Sequence, residues 1–194
     1  VQHWEGMGIQ FDAIYTGYLG KIEHIDFLVE HLPILMKKDG KLFVDPAFGD
    51  NGEFYPGFET DYALAYRELI AMSDYVMPNY TEVCFILEKD YQSLTYTDEE
   101  LESLLVDLEK IGAKTAIITG VRKGEEIGAV LFSDDGKLQI LLGEYIHRDS
   151  HGTGDVFASV VVGEYMRDFD IARAVLSAVN FVIESIKQTQ NDSD

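Results

Sequence analysis

The sequence predicts an α/β fold with a mainly parallel central sheet and helices on both faces. Three observations carry this expectation. Short strand-like runs alternate with stretches of helical periodicity along the chain. The β-branched run Thr115 to Thr119 suits a buried parallel strand. Gly17-Tyr18, Asp45, Asn79 and Thr119-Gly120 each follow a strand, and in such sheets ligands gather at the carboxyl ends of the strands.

The elements read in order. Val1 to Glu5 lies inside a helical pattern with no strand before it. Phe11 to Thr16 is a short strand ending at Gly17, and Ile22 to Lys38 carries Ile25, Leu28, Val29, Leu32 and Leu35 at helical spacing. Pro33 either kinks that helix or ends its first half, and the sequence leaves both open. Lys41 to Val44 is a strand stopped by Asp45-Pro46, because proline removes a ladder donor. A loop from Ala47 to Phe58, rich in glycine and aromatics, precedes an amphipathic helix over Thr60 to Ser73.

Tyr75 to Met77 is a brief strand, and Thr81 to Glu88 a helix following Pro78. Thr97 and Glu100 have the spacing of a capping box for a helix running to Ile111. After the strand at Thr115, Ala129 to Phe132 and Leu138 to Leu142 form a hairpin across Ser133-Asp134-Asp135-Gly136. Helices over Asp155 to Arg167 and Ile171 to Gln188 close the chain, with a frayed tail after them.

Composition bounds the function. The 194 residues fit one domain, and 46% apolar with 12% aromatic residues is enough for a sizeable core. Neither a membrane span nor a secretory signal is visible, and the single Cys84 cannot form an internal disulfide, so a cytoplasmic setting and a buried packing role for Cys84 are expected. A formal charge of −20 argues against nucleic acid and anionic membrane as partners. It also means that a polyphosphate substrate must be met by helix ends, backbone N–H groups and bound cations. Gly-x-x-x-x-Gly-Lys-Ser/Thr, Cys/His metal clusters and Gly-x-Ser-x-Gly are all missing, which argues against P-loop, zinc and serine-elbow chemistry.

The segment His151-Gly152-Thr153-Gly154-Asp155 leads straight into an apolar run that reads as a helix. Gly152 and Gly154 allow a tight turn, so that N–H groups and the positive helix end face an anion. Asp155 then stands where a base is useful, although a carboxylate in a first turn is also a common cap. Upstream lie Gly17-Tyr18, Val44-Asp45-Pro46 with Gly49-Asp50, and Pro78-Asn79-Tyr80-Thr81-Glu82.

In this order the four motifs resemble the pyridoxal/pyridoxamine kinases of the ribokinase superfamily, over essentially the whole chain. The resemblance implies a ribokinase-like fold and ATP- and Mg²⁺-dependent phosphorylation of the 5′-hydroxymethyl group of pyridoxal, pyridoxamine or pyridoxine, in pyridoxal phosphate salvage. It implies Asp155 as the base that accepts the alcohol proton, with the N–H groups of Gly152, Thr153 and Gly154 stabilising the transferring phosphoryl group. Tyr18 is then near the substrate, and Asp45 and Asp50 near cation and phosphates.

The resemblance further implies Asn79 near the triphosphate and Glu82 organising Mg²⁺ through water, with an acidic helix cap as the competing role for Glu82. For Asp50 the turn signal Asp50-Asn51-Gly52 competes equally. Thr119 and Gly120 approach the nucleotide, and Ile146 to Ser150 borders adenine. Met77 stands where some members carry threonine, which argues against a monovalent-cation ligand there. His3, His24 and His31 read as solvated or packing residues.

Members of this family also have an N-terminal portion with the first strands and much of the vitamin pocket, so the chain reads as one N-terminally incomplete domain, and a homodimer is the expected assembly. Hydroxymethylpyrimidine kinase is the enzyme alternative. A catalytically silent nucleotide-binding protein is the alternative from another class.

Overall fold

The computed structural model describes residues 1–92, 96–147 and 152–191. A short helix α1 (Gln2–Gly6) leads into β1 (Phe11–Thr16), α2 (Ile22–Leu35) and β2 (Met36–Val44). A small hairpin of β3 (Gly49–Asp50) and β4 (Glu53–Phe54) precedes α3 (Thr60–Met72), β5 (Tyr75–Val76), α4 (Tyr80–Ile86) and α5 (Asp98–Ile111). The rest is β6 (Thr115–Lys123), β7 (Glu126–Phe132), β8 (Leu138–Glu144), α6 (Thr153–Asp168) and α7 (Ile171–Asn191).

Six strands form one sheet in the order β1-β2-β5-β6-β7-β8. The first four are parallel, and β7 and β8 extend the sheet as an antiparallel meander. Strand residues alternate between two cores, as the two-residue period demands. Leu42, Val44, Ala116 and Ile118 pack with α2, α3, α4 and α5 on one face. Phe43, Ile117, Ala129 and Leu131 pack with α6 and α7 on the other. The expected architecture is therefore present.

Several boundaries differ from expectation. Helix α2 passes through Pro33 but ends at Leu35, and β2 begins at Met36, so Met36 to Lys38 are strand and not helix. Pairing of Met36 with Phe11 draws this stretch into the sheet. Strand β6 runs on to Lys123 and turns at Gly124 into β7, because Ile127 and the residues after it find partners along its extension. The loop between Ala47 and Phe58 contains the β3–β4 hairpin around Asn51-Gly52, both with positive φ as a tight turn requires. Helix α7 continues to Asn191, beyond the expected start of a frayed tail. Thr97 and Glu100 form the expected capping box, with Thr97 N–H donating to Glu100 Oε2 at 2.6 Å and Glu100 N–H to Thr97 Oγ1 at 3.2 Å. Cys84 is buried, and His31 joins α1 to α2 through Glu5 at 2.6 Å.

Candidate active site

A cavity of about 750 Å³ opens along the carboxyl ends of the parallel strands. That volume suits a small molecule together with part of a larger one. Tyr18, Asp45, Asp50, Asn79, Glu82, Thr119, Gly120, Gly152, Thr153, Gly154 and Asp155 all line it. These expected site residues therefore border one cavity, although their local roles differ, while His147 of the expected adenine border pairs with Glu125 and does not line it.

Asn79 and Glu82 close α4 with a reciprocal cap. The Glu82 N–H donates to Asn79 Oδ1 at 3.0 Å, and the Asn79 N–H donates to Glu82 Oε2 at 2.9 Å. Glu82 reaches further than a cap needs. Its Oε1 accepts the N–H groups of Phe48 at 2.8 Å and Gly49 at 3.4 Å, while Asn79 Nδ2 donates to the Gly49 carbonyl at 2.8 Å. The pair thus fixes the loop after β2, and both Glu82 oxygens are already engaged. Burial pushes Glu82 up to about 8, with nearby Asp45 adding to the effect.

Asp45, at the end of β2, is buried and raised to about 7 by desolvation, only partly offset by a hydrogen bond from Tyr15. The Tyr15 hydroxyl donates to Asp45 Oδ2 at 3.2 Å. Burial, then Asp45 and Asp155, push the Tyr15 phenol upward, which places the two carboxylates around one hydroxyl. Asp155 is exposed in the first turn of α6, whose N-cap Gly152 has a φ of 77°. That left-handed conformation turns the chain so that the helix start faces the cavity, and it is costly for any side-chain-bearing residue.

Asp50 is exposed and accepts from Asn51 N–H at 2.8 Å, so it serves the turn as well as the rim. Thr119 joins Asn79 through an isolated parallel bridge, and Gly120, with a φ of 69°, sits at the break in the β6–β7 register. Tyr18 is 65% exposed, stands edge-on to Phe58 and lines the cavity. Ile146 borders the cavity as expected, whereas Arg148, Asp149, Ser150 and His151 lie outside the described residues. Met77 is buried in the core beside α6 as well as bordering the cavity.

Sequence reasoning gave no role to Tyr15, Arg122 or Tyr145. Tyr15 shows only as the penultimate residue of a strand, and one tyrosine among 11 carries little signal. Arg122 depended on how far β6 extends, which the sequence did not disclose.

Among the described residues, no three His, Cys, Asp or Glu side chains converge as a metal cage. The hard oxygens of Asp45 and Asp50, with Glu82 behind them, fit Mg²⁺ held through water and through a substrate's phosphates, which is the coordination this ion favours. The burial of Asp45 and Glu82, only partly offset by their hydrogen bonds, is in keeping with a site that receives positive charge along with its ligand.

A parallel sheet with a glycine-introduced helix start and an aspartate facing this cavity is the architecture of ribokinase-like kinases. The chain belongs to the phosphomethylpyrimidine kinase family, whose profile matches residues 6–193. It is 25% identical to the pyridoxal kinase of Dictyostelium discoideum over 93% of its length, and 24% identical to a hydroxymethylpyrimidine/phosphomethylpyrimidine kinase of Aquifex aeolicus over 92%. It spans 63% of the first relative and 68% of the second. The crystal structure of pyridoxal kinase from Lactobacillus plantarum superposes with a TM-score of 0.90 at 29% identity, covering 100% of this chain and 68% of that one. A Bacteroides thetaiotaomicron protein provisionally named a phosphomethylpyrimidine kinase and crystallised with pyridoxal gives a TM-score of 0.90 at 31% identity, with 97% and 67% covered. No helix among the described residues is long and apolar enough to cross a membrane.

Proposed function

We propose that this protein is an ATP-dependent kinase that phosphorylates the 5′-hydroxymethyl group of a B6 vitamer, pyridoxal, pyridoxamine or pyridoxine, in pyridoxal phosphate salvage. The observation that carries the reading is Asp155 at the glycine-capped start of α6, on the same cavity as Asp45, Asn79, Thr119 and Tyr18. Pyridoxal in the related Bacteroides crystal supports a B6 vitamer as the acceptor.

The substrate alcohol gives its proton to the Asp155 carboxylate as its oxygen bonds to the γ-phosphorus, and the bond from that phosphorus to the oxygen bridging to ADP breaks. Such proton acceptance is commonly worth about 10²–10⁴-fold in rate. The N–H groups of Gly152, Thr153 and Gly154 begin α6 and supply preorganised donors for the negative oxygens of the transferring group. Tyr18 flanks the acceptor, while Thr119 and Gly120 lie along the phosphates. Mg²⁺ would be held by Asp45, with Glu82 acting through water, and would neutralise phosphate charge when bound.

The family name and the Aquifex relative favour hydroxymethylpyrimidine as the second candidate substrate. Both acceptors are small heteroaromatic rings bearing a primary alcohol, so the chemistry at Asp155 is the same for each. The test is ATP consumption by the complete gene product with Mg²⁺ and pyridoxal, pyridoxamine, pyridoxine or hydroxymethylpyrimidine. Preference for a B6 vitamer supports the reading, and turnover of the pyrimidine alone transfers the assignment to thiamine synthesis. ATP binding without turnover of any acceptor would instead indicate a catalytically silent nucleotide binder. Elution volume in size-exclusion chromatography tests the homodimer, and cell fractionation tests the cytoplasmic location.

A further inference from the structure

Among the described residues, the cavity is lined by the carboxylates of Asp45, Asp50, Glu82, Glu144 and Asp155, against a single basic side chain, Arg122. That arginine is held in an unusual way. Its backbone is clamped by one residue, since the Tyr96 hydroxyl donates to the Arg122 carbonyl at 3.1 Å and accepts from the Arg122 N–H. Its guanidinium lies 3.7 Å over the centre of the Tyr145 ring. Its neighbour Lys123 pairs with Asp98, and Lys187 pairs with Glu144, yet Arg122 makes no ion pair among the described residues.

In a chain with 35 acidic and 15 basic side chains, a half-buried arginine resting on a ring instead of a carboxylate is a charge kept available. A ring face holds a guanidinium weakly while leaving its edge N–H groups free. Placement agrees with this. Arg122 follows Thr119-Gly120 on β6 and pairs across the ladder with Ile127, which lines the same cavity together with Val179, Val182 and Ile183. A nucleoside polyphosphate with its base against those apolar side chains has Arg122 beside them to meet its phosphates, in the cavity that Asp155 also lines.

We infer that Arg122, seated on Tyr145, binds the phosphates of the nucleotide and sets the affinity of the site for ATP over unphosphorylated nucleosides. The inference rests on the kinase reading above and deepens it. A planar fork engages phosphate oxygens in pairs, which an ammonium cannot do, and gives the acid-rich cavity a side-chain cation for an anionic ligand.

The test is calorimetric binding of ATP, ADP and adenosine to the complete gene product and its Arg122→Met and Arg122→Lys variants, with melting curves to confirm folding. Arg122→Met should weaken ATP and ADP binding about 10–100-fold, the loss expected for charged hydrogen bonds, and leave adenosine unchanged. Arg122→Lys should fall between. Unaltered ATP affinity in the methionine variant would overturn the inference, and so would an equal loss for adenosine. Should Arg122→Met unfold, the lysine variant decides, because equal ATP affinity in a folded Arg122→Lys would refute the paired contact. Failure of the unsubstituted protein to bind ATP would overturn the kinase reading, and this inference with it.

Discussion

The Glu82 carboxylate accepts the backbone N–H of Phe48 at 2.8 Å, across 34 positions of sequence. One side chain thereby caps its own helix and fixes the loop that brings Asp50 to the rim. Glu82→Ala leaves the N–H groups of Phe48, Gly49 and Asn79 without this acceptor in a buried setting. A loss of about 3 kcal/mol or more is expected from urea unfolding. Glu82→Gln should lose less, because its amide oxygen still serves Phe48 while its amide nitrogen opposes the Asn79 N–H. Equal stability of the alanine variant and the parent would show that water replaces the carboxylate.

Asp45 and Glu82 are raised to about 7 and about 8, both above their ordinary values, chiefly by burial. The folded state therefore binds protons that the unfolded chain has already released between about pH 4 and 8. Their contribution to stability is fully present below that window and is lost as pH rises through it. Melting temperature without Mg²⁺ should drop by several degrees between pH 5.5 and 8.5, and Asp45→Asn should flatten the drop. A melting temperature that climbs across this range would contradict the assignment.

Asp155→Ala should lower turnover about 10²–10⁴-fold and leave ATP affinity near that of the parent. Single-turnover kinetics beside equilibrium binding separate the two quantities. Near-normal turnover would remove Asp155 as the base.

Gly128 and Gly143 are both tightly placed, with different expected tolerance. A Cβ on Gly128 would lie 2.0 Å from the Leu141 carbonyl oxygen, so backbone must move. A Cβ on Gly143 would meet the end of the Ile183 side chain at 2.5 Å, which can rotate away. Gly128→Ala should cost about 3 kcal/mol or more and Gly143→Ala about 1 kcal/mol, compared by chemical unfolding. The reverse ranking would mean that the β7–β8 ladder yields more readily than the packing of α7.

Much of this molecule was legible from short-range chemistry. The capping box at Thr97 and the glycine-led start of α6 are local devices, in which residue type and spacing contain the whole geometry. The alternation of Leu42, Phe43 and Val44 between two cores follows from strand periodicity. Longer-range matters were not legible. Asn79 and Glu82 are spaced as a cap, and nothing in that spacing tells that the same carboxylate reaches Phe48 and Gly49. The end of α2 was misplaced because Met36-Lys37-Lys38 has helical composition, and pairing of Phe11 with Met36 overrides that preference. The extension of β6, with the seat it gives Arg122, likewise depended on strand pairing and not on local propensity.

The meander of β6, β7 and β8 joins neighbours along the chain, and so does the packing of α6 on α7. The parallel ladders joining β1, β2, β5 and β6, and the link from Tyr15 to Asp45, close only across intervening helices or loops. Loop closure makes the first kind of contact quick and the second slow. The carboxyl-terminal third, made last, thus closes on itself readily, and the constellation around Asp155 exists only once it has met residues made much earlier. Damage to the early strands would take away both the neighbours of Asp155 and part of the core on which α6 rests, through Phe43, Ala13 and Tyr15.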